Sequence, residues 1–435
     1  MMKAFMNKIF FILIFVGLFL PIGAAAETSI KKGEMLELEH CIGIALKEHP
    51  GIRAAAYTLK ASESRVGQAK SGYYPQLSGT ASYNRIDPTN TPTGRLSTTT
   101  ESVYDSYTSS VGLSQNLFDF GKTSAQVQIQ SLNLDSSRSD LDQAIAQVVF
   151  GVRQSYWGLL RARRNRDVAG EVVGQYEQHL DRARGFFEVG VKPKFDVTKA
   201  EVDLSNAKLN LLKAENALRL AQVALNNAMG LPEAPDYEIR DSLAFQRVTV
   251  DLEQALRQAY DCRPDLQSIL AKKKSLEETI TLQKKGYYPY VTGNASYGWG
   301  GVSFLQNQGW NVGATLTIPL FSGFSTKYQV DEAWANLDVL KANEETLRQG
   351  IFLEVKQAWL NLQEAADRIV AAEIIVRQAA ENLELANGRY AAGIGNPIEV
   401  TDALVAQSNA KTNFIAALYD YKMAQATMEK ATGEK

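Results

Sequence analysis

The stretch GYYPQLSGTASY, residues 72–83, predicts a tight turn followed by a strand, and it returns as GYYPYVTGNASY at residues 286–297. Eight of the twelve positions are identical, at a spacing of 214 residues. In the first copy Leu77, Gly79, Ala81 and Tyr83 alternate with polar residues, which places them on one face of a strand. The repeat indicates a chain built from two similar halves.

A second alternating segment follows each copy. Its apolar positions are Tyr107, Val111, Leu113 and Leu117 in the first half, and Trp310, Val312, Ala314, Leu316 and Ile318 in the second. This alternation fits either a half-buried soluble sheet or strands of a transmembrane barrel. Strand lengths of about 10 residues and tyrosines near the strand ends favour the barrel. Four strands are too few to close one, since the smallest barrels have about eight, so the chain is expected to oligomerise.

A long helix is predicted after each strand pair, because residues 121–188 contain no proline and would reach roughly 100 Å as one helix. Residues 324–390 predict the same. Each helix ends in a Gly-Pro interruption, GFFEVGVKPKFDVTKAEVDLSNAK at 185–208 and GRYAAGIGNPIEVTDALVAQSNAK at 388–411, 203 residues apart. We interpret these segments as the turns of two helical hairpins.

The helices show the composition of a coiled-coil wall, with alanine, leucine, valine and glutamine interspersed with charge from 198 to 229 and from 401 to 432. A soluble helical bundle or a filament protein would explain these helices. It would leave the amphipathic strands and the export signal unexplained.

The first 26 residues predict a secretory signal peptide, with Lys3 and Lys8 before an apolar run and alanines 24–26 at its end. The chain carries 46 Lys and Arg against 48 Asp and Glu, a net charge of −2, which argues against a nucleic-acid partner. Cys41 and Cys262 are the only cysteines, and either a disulfide or two unpaired thiols fits the sequence. The three histidines have no metal-site or triad spacing and are expected at the surface or at helix caps.

Taken together, these features resemble the TolC-like outer-membrane efflux proteins, also called outer-membrane factors. The resemblance covers the mature chain and is carried by the duplication, the Gly-Tyr-Tyr-Pro segments, LFDFG at 117–121, LFSG at 320–323 and the two hairpin turns. It implies an α+β membrane protein in which three chains, each with four transmembrane strands, complete a 12-stranded barrel. A long α-helical coiled-coil tunnel would continue this barrel into the periplasm.

The resemblance also implies boundaries along the chain. After the signal peptide, residues 27–230 would form the first repeat, with a β-hairpin at 73–118 and a helical turn at 190–197. Residues 231–250 would form an equatorial linker. Residues 251–435 would form the second repeat, with a β-hairpin at 287–320 and a helical turn at 393–400.

Site residues follow from the same resemblance. It implies that Glu399 and Asp402 ring a periplasmic gate, and that Tyr390 is tied by a hydrogen bond to Asp196 of the first hairpin. The arginine that assists this tie in the family is replaced by Gly395. Gly190, Val191, Gly393 and Ile394 would form the tips on which a periplasmic adaptor protein docks. Without the resemblance, Glu399 and Asp402 would be ordinary acids at a helix N-terminus.

The function implied is an outer-membrane exit duct, a homotrimer in outer-membrane lipid that passively conducts substrates delivered by an inner-membrane transporter and the adaptor. The outlet of a type I protein secretion system is the alternative. No constellation of nucleophile, base or metal ligands suggests an enzyme, and no cofactor or metal is expected.

Overall fold

The structure of the protein is a computed structural model that describes residues 30–87 and 103–434. The predicted signal peptide lies outside these residues. Helices make up most of the described chain, and none of them is long and apolar enough to cross a membrane.

Both halves of the chain contain the same elements in the same order. In the first half they are α1 (Leu38–Glu48), α2 (Pro50–Lys70), β2 (Gln76–Ile86), β3 (Tyr104–Phe118), α3 (Lys122–Glu188) and α4 (Lys194–Met229). In the second half they are α5 (Leu252–Cys262), α6 (Pro264–Lys284), β5 (Tyr290–Gly301), β6 (Asn307–Thr317), α7 (Ser325–Ala391) and α8 (Pro397–Thr432). Two short strands, β1 (Met35–Leu36) and β4 (Glu238–Ile239), pair in parallel.

The four long strands form one antiparallel sheet in the order β2, β3, β5, β6, so the two halves meet along the β3–β5 pair. The register pairs Leu77 with Leu113, and Tyr297 with Trp310, which gathers the apolar positions on one face. That face is uncovered: Val312 is 70% exposed and Trp310 77% exposed. On the opposite face, serine and threonine side chains bond across strands, as Thr80 does with Ser110 at 2.8 Å. Within the described chain the outer edges of β2 and β6 pair with no strand.

The long helices α3 and α7 each contain 67 residues and run between the sheet and the hairpin turns. On the side of the sheet α3 packs against α2 and α6, and on the side of the turns it packs against α4 and α8. Asp119 precedes α3 and stabilises its first turn, because its carboxylate accepts hydrogen bonds from the backbone N–H groups of Gly121 and Thr123 at 2.9 and 2.8 Å.

Two glycines allow the ends of α4 and α8 to pack closely against the backbone of neighbouring helix junctions. Gly230 ends α4 with φ +80°, and a Cβ built there would lie 2.8 Å from the Cα of His49, at the junction of α1 and α2. Gly433 ends α8 with φ +74°, and a Cβ there would lie 2.9 Å from the backbone nitrogen of Arg263, at the junction of α5 and α6. Both positions require glycine, since the conformation is left-handed and the neighbouring atoms are backbone.

Residues 231–251 cross the middle of the long helices. Tyr156 donates a hydrogen bond to the carbonyl oxygen of Arg240 at 2.7 Å, and Arg164 forms two bonds to the Asp241 carboxylate at 2.8 and 2.9 Å. On the other half, Tyr421 donates to the carbonyl oxygen of Gln246 at 2.7 Å. These contacts hold the linker against both hairpins, and its role as an equatorial belt stays a prediction.

Cys41 and Cys262 are both free thiols, so the disulfide alternative is not realised. Cys41 is buried, and this burial raises the pKa of its thiol to about 12.

Of the histidines, His49 accepts a hydrogen bond from the backbone N–H of Gly51 at 3.1 Å and caps α2, as expected. The expectation is wrong for His179, which is buried inside the first hairpin.

Candidate functional site

The candidate site lies where the two helical hairpins turn. Helix α3 ends at Glu188 and α4 begins at Lys194, whereas α7 ends at Ala391 and α8 begins at Pro397. Residues 194–197 and 397–400 of the predicted turns therefore belong to the returning helices. Each turn passes through one left-handed glycine, Gly190 with φ +76° and Gly393 with φ +79°.

The second turn has no room for a side chain at position 395. The backbone N–H of Gly395 bonds to the carbonyl oxygen of Arg389 at 2.9 Å, which folds the turn back onto the end of α7. A Cβ at this position would lie 2.7 Å from the backbone nitrogen of Tyr390. The arginine expected from the resemblance is thus excluded sterically as well as absent.

A cation reaches this turn from the first hairpin instead. Lys192 donates a hydrogen bond from Nζ to the carbonyl oxygen of Gly395 at 3.4 Å. The same Nζ lies 5.8 Å from the centroid of the Tyr390 ring, within the range of a cation–π contact. Lys192 therefore joins the two turns, a role that the sequence did not suggest.

Tyr390 is fully buried and inserts its ring into the first hairpin. The ring centroid lies 5.2 Å from that of His179 and 5.6 Å from that of Phe186, the latter edge to face. The predicted hydrogen bond to Asp196 is wrong: among the described residues, Tyr390 Oη has no hydrogen-bond partner. Asp196 is nevertheless buried close by, and burial together with its charge raises the pKa of Tyr390. Packing holds this side chain in place of the expected bond.

Glu399 and Asp402 lie in the first turns of α8 with exposed side chains. Neither caps the helix, because the side chain of Asn396 accepts the hydrogen bond from the backbone N–H of Ile398 at 3.0 Å. Glu399 forms an ion pair with Arg389 at 3.2 Å. Both partners are about half exposed, so the pair adds little stability but partly neutralises the Glu399 charge.

Further polar contacts join the hairpins above the turns. Thr401 donates a hydrogen bond to Asp203 at 3.1 Å, and Lys199 holds the same carboxylate at 3.2 Å. Lys411 pairs with Glu171 at 2.6 Å. Lys411 ends the Ser-Asn-Ala-Lys segment that both halves share. This repeated segment is a sequence feature from which a contact at Lys411 could have been predicted.

The turns expose several large apolar side chains on their outer surface. These exposed apolar side chains are Val189, Val191, Phe195, Ile394 and Ile398. Exposed apolar residues gathered at the end of a polar helical hairpin are typical of a protein-binding surface.

No group of His, Cys, Asp and Glu side chains that could hold a metal ion occurs in residues 30–87 and 103–434.

An uncovered amphipathic sheet with two free edges, joined to helical hairpins of 67 and 36 residues, defines a subunit of a membrane barrel that continues into a helical tunnel. The family model for outer membrane efflux proteins matches residues 41–231 and 255–434, and the chain belongs to this family. The TolC-like resemblance, the fold class and the outer-membrane location predicted from the sequence are confirmed.

Individual relatives are distant in sequence but similar along their length. The outer membrane protein TolC of Vibrio cholerae is 22% identical over 403 residues, which cover 89% of each protein. The structure of CusC matches with a TM-score of 0.80 and 19% identity, covering 94% of this chain and 96% of CusC. The CmeC outer membrane channel of Campylobacter jejuni matches with a TM-score of 0.78 and 20% identity, covering 91% of this chain and 85% of CmeC.

Proposed function

We propose that this chain is one subunit of a homotrimeric exit duct in a tripartite efflux system, which passively conducts substrates delivered by an inner-membrane transporter and a periplasmic adaptor. One observation carries the proposal: the sheet exposes an apolar face and two unpaired edges in the same chain as two hairpins with apolar turns. An open edge cannot be left in lipid, because its backbone groups would lack hydrogen-bond partners.

Three copies satisfy these edges. Pairing β6 of each chain with β2 of the next gives twelve strands, above the minimum of about eight for a barrel. The helices support the same arrangement, since exposed apolar side chains line α7 and α4, which lie at opposite ends of the helix order. On α7 they include Val339, Leu353, Leu360 and Ile374, and on α4 Val202, Leu209, Leu212 and Leu220.

The hairpin turns would form the periplasmic mouth of this duct. Glu399 and Asp402 would line its constriction, and Tyr390, packed against the first hairpin near the buried Asp196, would hold the second hairpin in place. Gly190, Val191, Gly393 and Ile394 would receive the adaptor, because Val191 and Ile394 are exposed apolar side chains beside the two left-handed glycines. No chemical step is required of any of these residues.

Crosslinking from the turns tests the partners. A photoreactive phenylalanine analogue placed at Val191 or Ile394 is expected to capture a periplasmic adaptor that itself binds an inner-membrane transporter. The same analogue at Tyr57, which is 70% exposed on α2 far from the turns, is the control. Equal capture from both places, or capture of no such adaptor from the turns, would contradict the partner assignment. A transporter dedicated to one secreted protein would instead identify a protein-secretion outlet.

Cation block in planar bilayers tests the acidic constriction. Replacing Glu399 and Asp402 by alanine is expected to weaken block of single-channel current by divalent cations, because a trimer would gather three copies of each acid. Asp402→Ala alone should weaken block more than Glu399→Ala, since Arg389 already neutralises part of the Glu399 charge. Arg389→Ala is the matched control and should strengthen block. If block by divalent cations is the same in every variant, neither Glu399 nor Asp402 lines the pore.

A further inference from the structure

His179 occupies an unusual place for a histidine without an assigned role. It lies on α3 inside the first hairpin with 3% of its surface exposed, and its ring contacts Tyr390 of the second hairpin at 5.2 Å between centroids. Within the described part of the chain, its Nδ1 atom is buried without a hydrogen-bond partner, and so is Tyr390 Oη. The two rings in this contact between the hairpins therefore each carry an unsatisfied polar atom, and each such atom costs free energy.

Charged groups surround this contact from several elements. They are Arg182 on α3 itself, Asp196, Lys199 and Asp203 on α4, and Lys192 in the first turn, which reaches the Tyr390 ring. Asp203 and Asp196 favour a proton on His179, whereas Arg182 and Lys199 oppose it. Acids and bases thus act on His179 in opposite directions, and the burial of its ring, which is the largest influence, disfavours the protonated form.

Neutral imidazole suits this site better than imidazolium, because burial disfavours the charged ring. A protonated ring would carry two N–H donors, and the donor at Nδ1 would have no acceptor in the packed arrangement. Moving Tyr390 outward would admit water to both atoms and remove the penalty. Proton uptake at His179 and separation of the two hairpins are therefore coupled.

We propose that His179 is a proton-operated latch between the hairpins: neutral His179 packs against Tyr390 and keeps the turns together, and protonated His179 releases the second hairpin. The latch rests on the proposed function, in which the turns form the mouth of the duct. Acidification of the periplasm would then open the periplasmic end of the duct.

The direction of the pH dependence follows from the packing. Burial lowers the pKa of His179 below its ordinary value. The packed state is therefore fully favoured above the pKa of an exposed histidine, about 6.5, and loses stability as the pH falls from there through the lowered pKa. For each pH unit between the pKa values of the packed and open states, the opening equilibrium of a subunit changes at most about tenfold.

The experiment measures opening of the turns separately from conduction. Hydrogen–deuterium exchange of peptides spanning both turns, corrected for the intrinsic pH dependence of exchange, is compared at about pH 7.5 and about pH 5. The intact trimer is expected to show at least about threefold faster corrected exchange at the lower pH, with a parallel rise in single-channel conductance. His179→Phe, which keeps a neutral ring in the site, should remove both responses.

Two further variants keep the result unambiguous. His179→Gln tests a neutral polar side chain in case phenylalanine impairs assembly, and it should also be insensitive to pH. His40→Gln is the matched control, since His40 is half exposed and far from the turns, and it should respond as the parent does. A parent protein without pH response, or variants at position 179 that keep the response, would overturn the latch. A protein that forms trimers but conducts at no pH would instead contradict the proposed duct.

Discussion

Val312→Arg is expected to abolish stable assembly of the protein in the outer membrane. Val312 is the middle residue of β6 and lies on the uncovered apolar face of the sheet. If that face meets lipid, the arginine sits near the bilayer midplane, where it costs about 2–4 kcal/mol per strand. Three chains each carry the change, so the total penalty in a trimer approaches the whole stability of a typical domain.

Asn311→Arg is the matched control, because the neighbouring residue lies on the opposite, polar face of the same strand. This variant is expected to assemble and to shift ion selectivity towards anions, since its charge would face the lumen. Assembly is measured as the fraction of heat-sensitive trimer in purified outer membranes, and selectivity as a reversal potential in planar bilayers. Loss of assembly in Asn311→Arg alone would mean that the two faces have been assigned the wrong way round.

Much of the sheet could be predicted from the sequence, because a period of two residues assigns each side chain to a face without knowledge of its neighbours. The apolar positions Leu77, Tyr83 and Val312 all lie on the predicted face. Strand order and the pairing of β3 with β5 could not be derived from alternation, since that pattern says nothing about which strands are adjacent. The structure supplies this order, which the sequence analysis did not predict.

The presence of the long helices was predicted correctly, but the residues at which they begin were predicted less accurately. Gly151, Gly158 and Gly170 weaken a helix intrinsically, yet α3 continues through all three. Packing against five other helices outweighs this propensity. At the turns, the positions of Gly190 and Gly393 were correct, but α4 and α8 begin earlier than expected because Pro193 and Asn396 already act as N-caps.

The candidate site was the least predictable part. The positions of Tyr390, Asp196 and Glu399 could be transferred by motif, but their contacts depend on distances between hairpins that no local pattern encodes. Lys192 and His179 were missed because a lysine in a turn and a histidine in a helix are common at surfaces. Only the docking of one hairpin on the other makes them part of the site.

Tyr390→Ala is expected to separate the hairpins and raise the resting conductance of the duct severalfold. Tyr390 is fully buried among residues of the first hairpin, including His179 and Phe186. Replacing a buried aromatic side chain by alanine typically costs about 3–5 kcal/mol, and here the loss falls on the contact that holds the turns together. The cation–π contact from Lys192 would be lost at the same time.

Tyr390→Phe separates packing from hydrogen bonding at this position. Phenylalanine keeps the ring and removes a hydroxyl that has no partner among the described residues, so resting conductance should stay within about twofold of the parent value. Both variants should form normal trimers, because the barrel and the remaining helix contacts are unchanged. The measurement is single-channel conductance of purified trimers beside the parent protein. An increase in Tyr390→Phe as large as that in Tyr390→Ala would contradict this assignment and would mean that the hydroxyl, not the packing of the ring, holds the turns together.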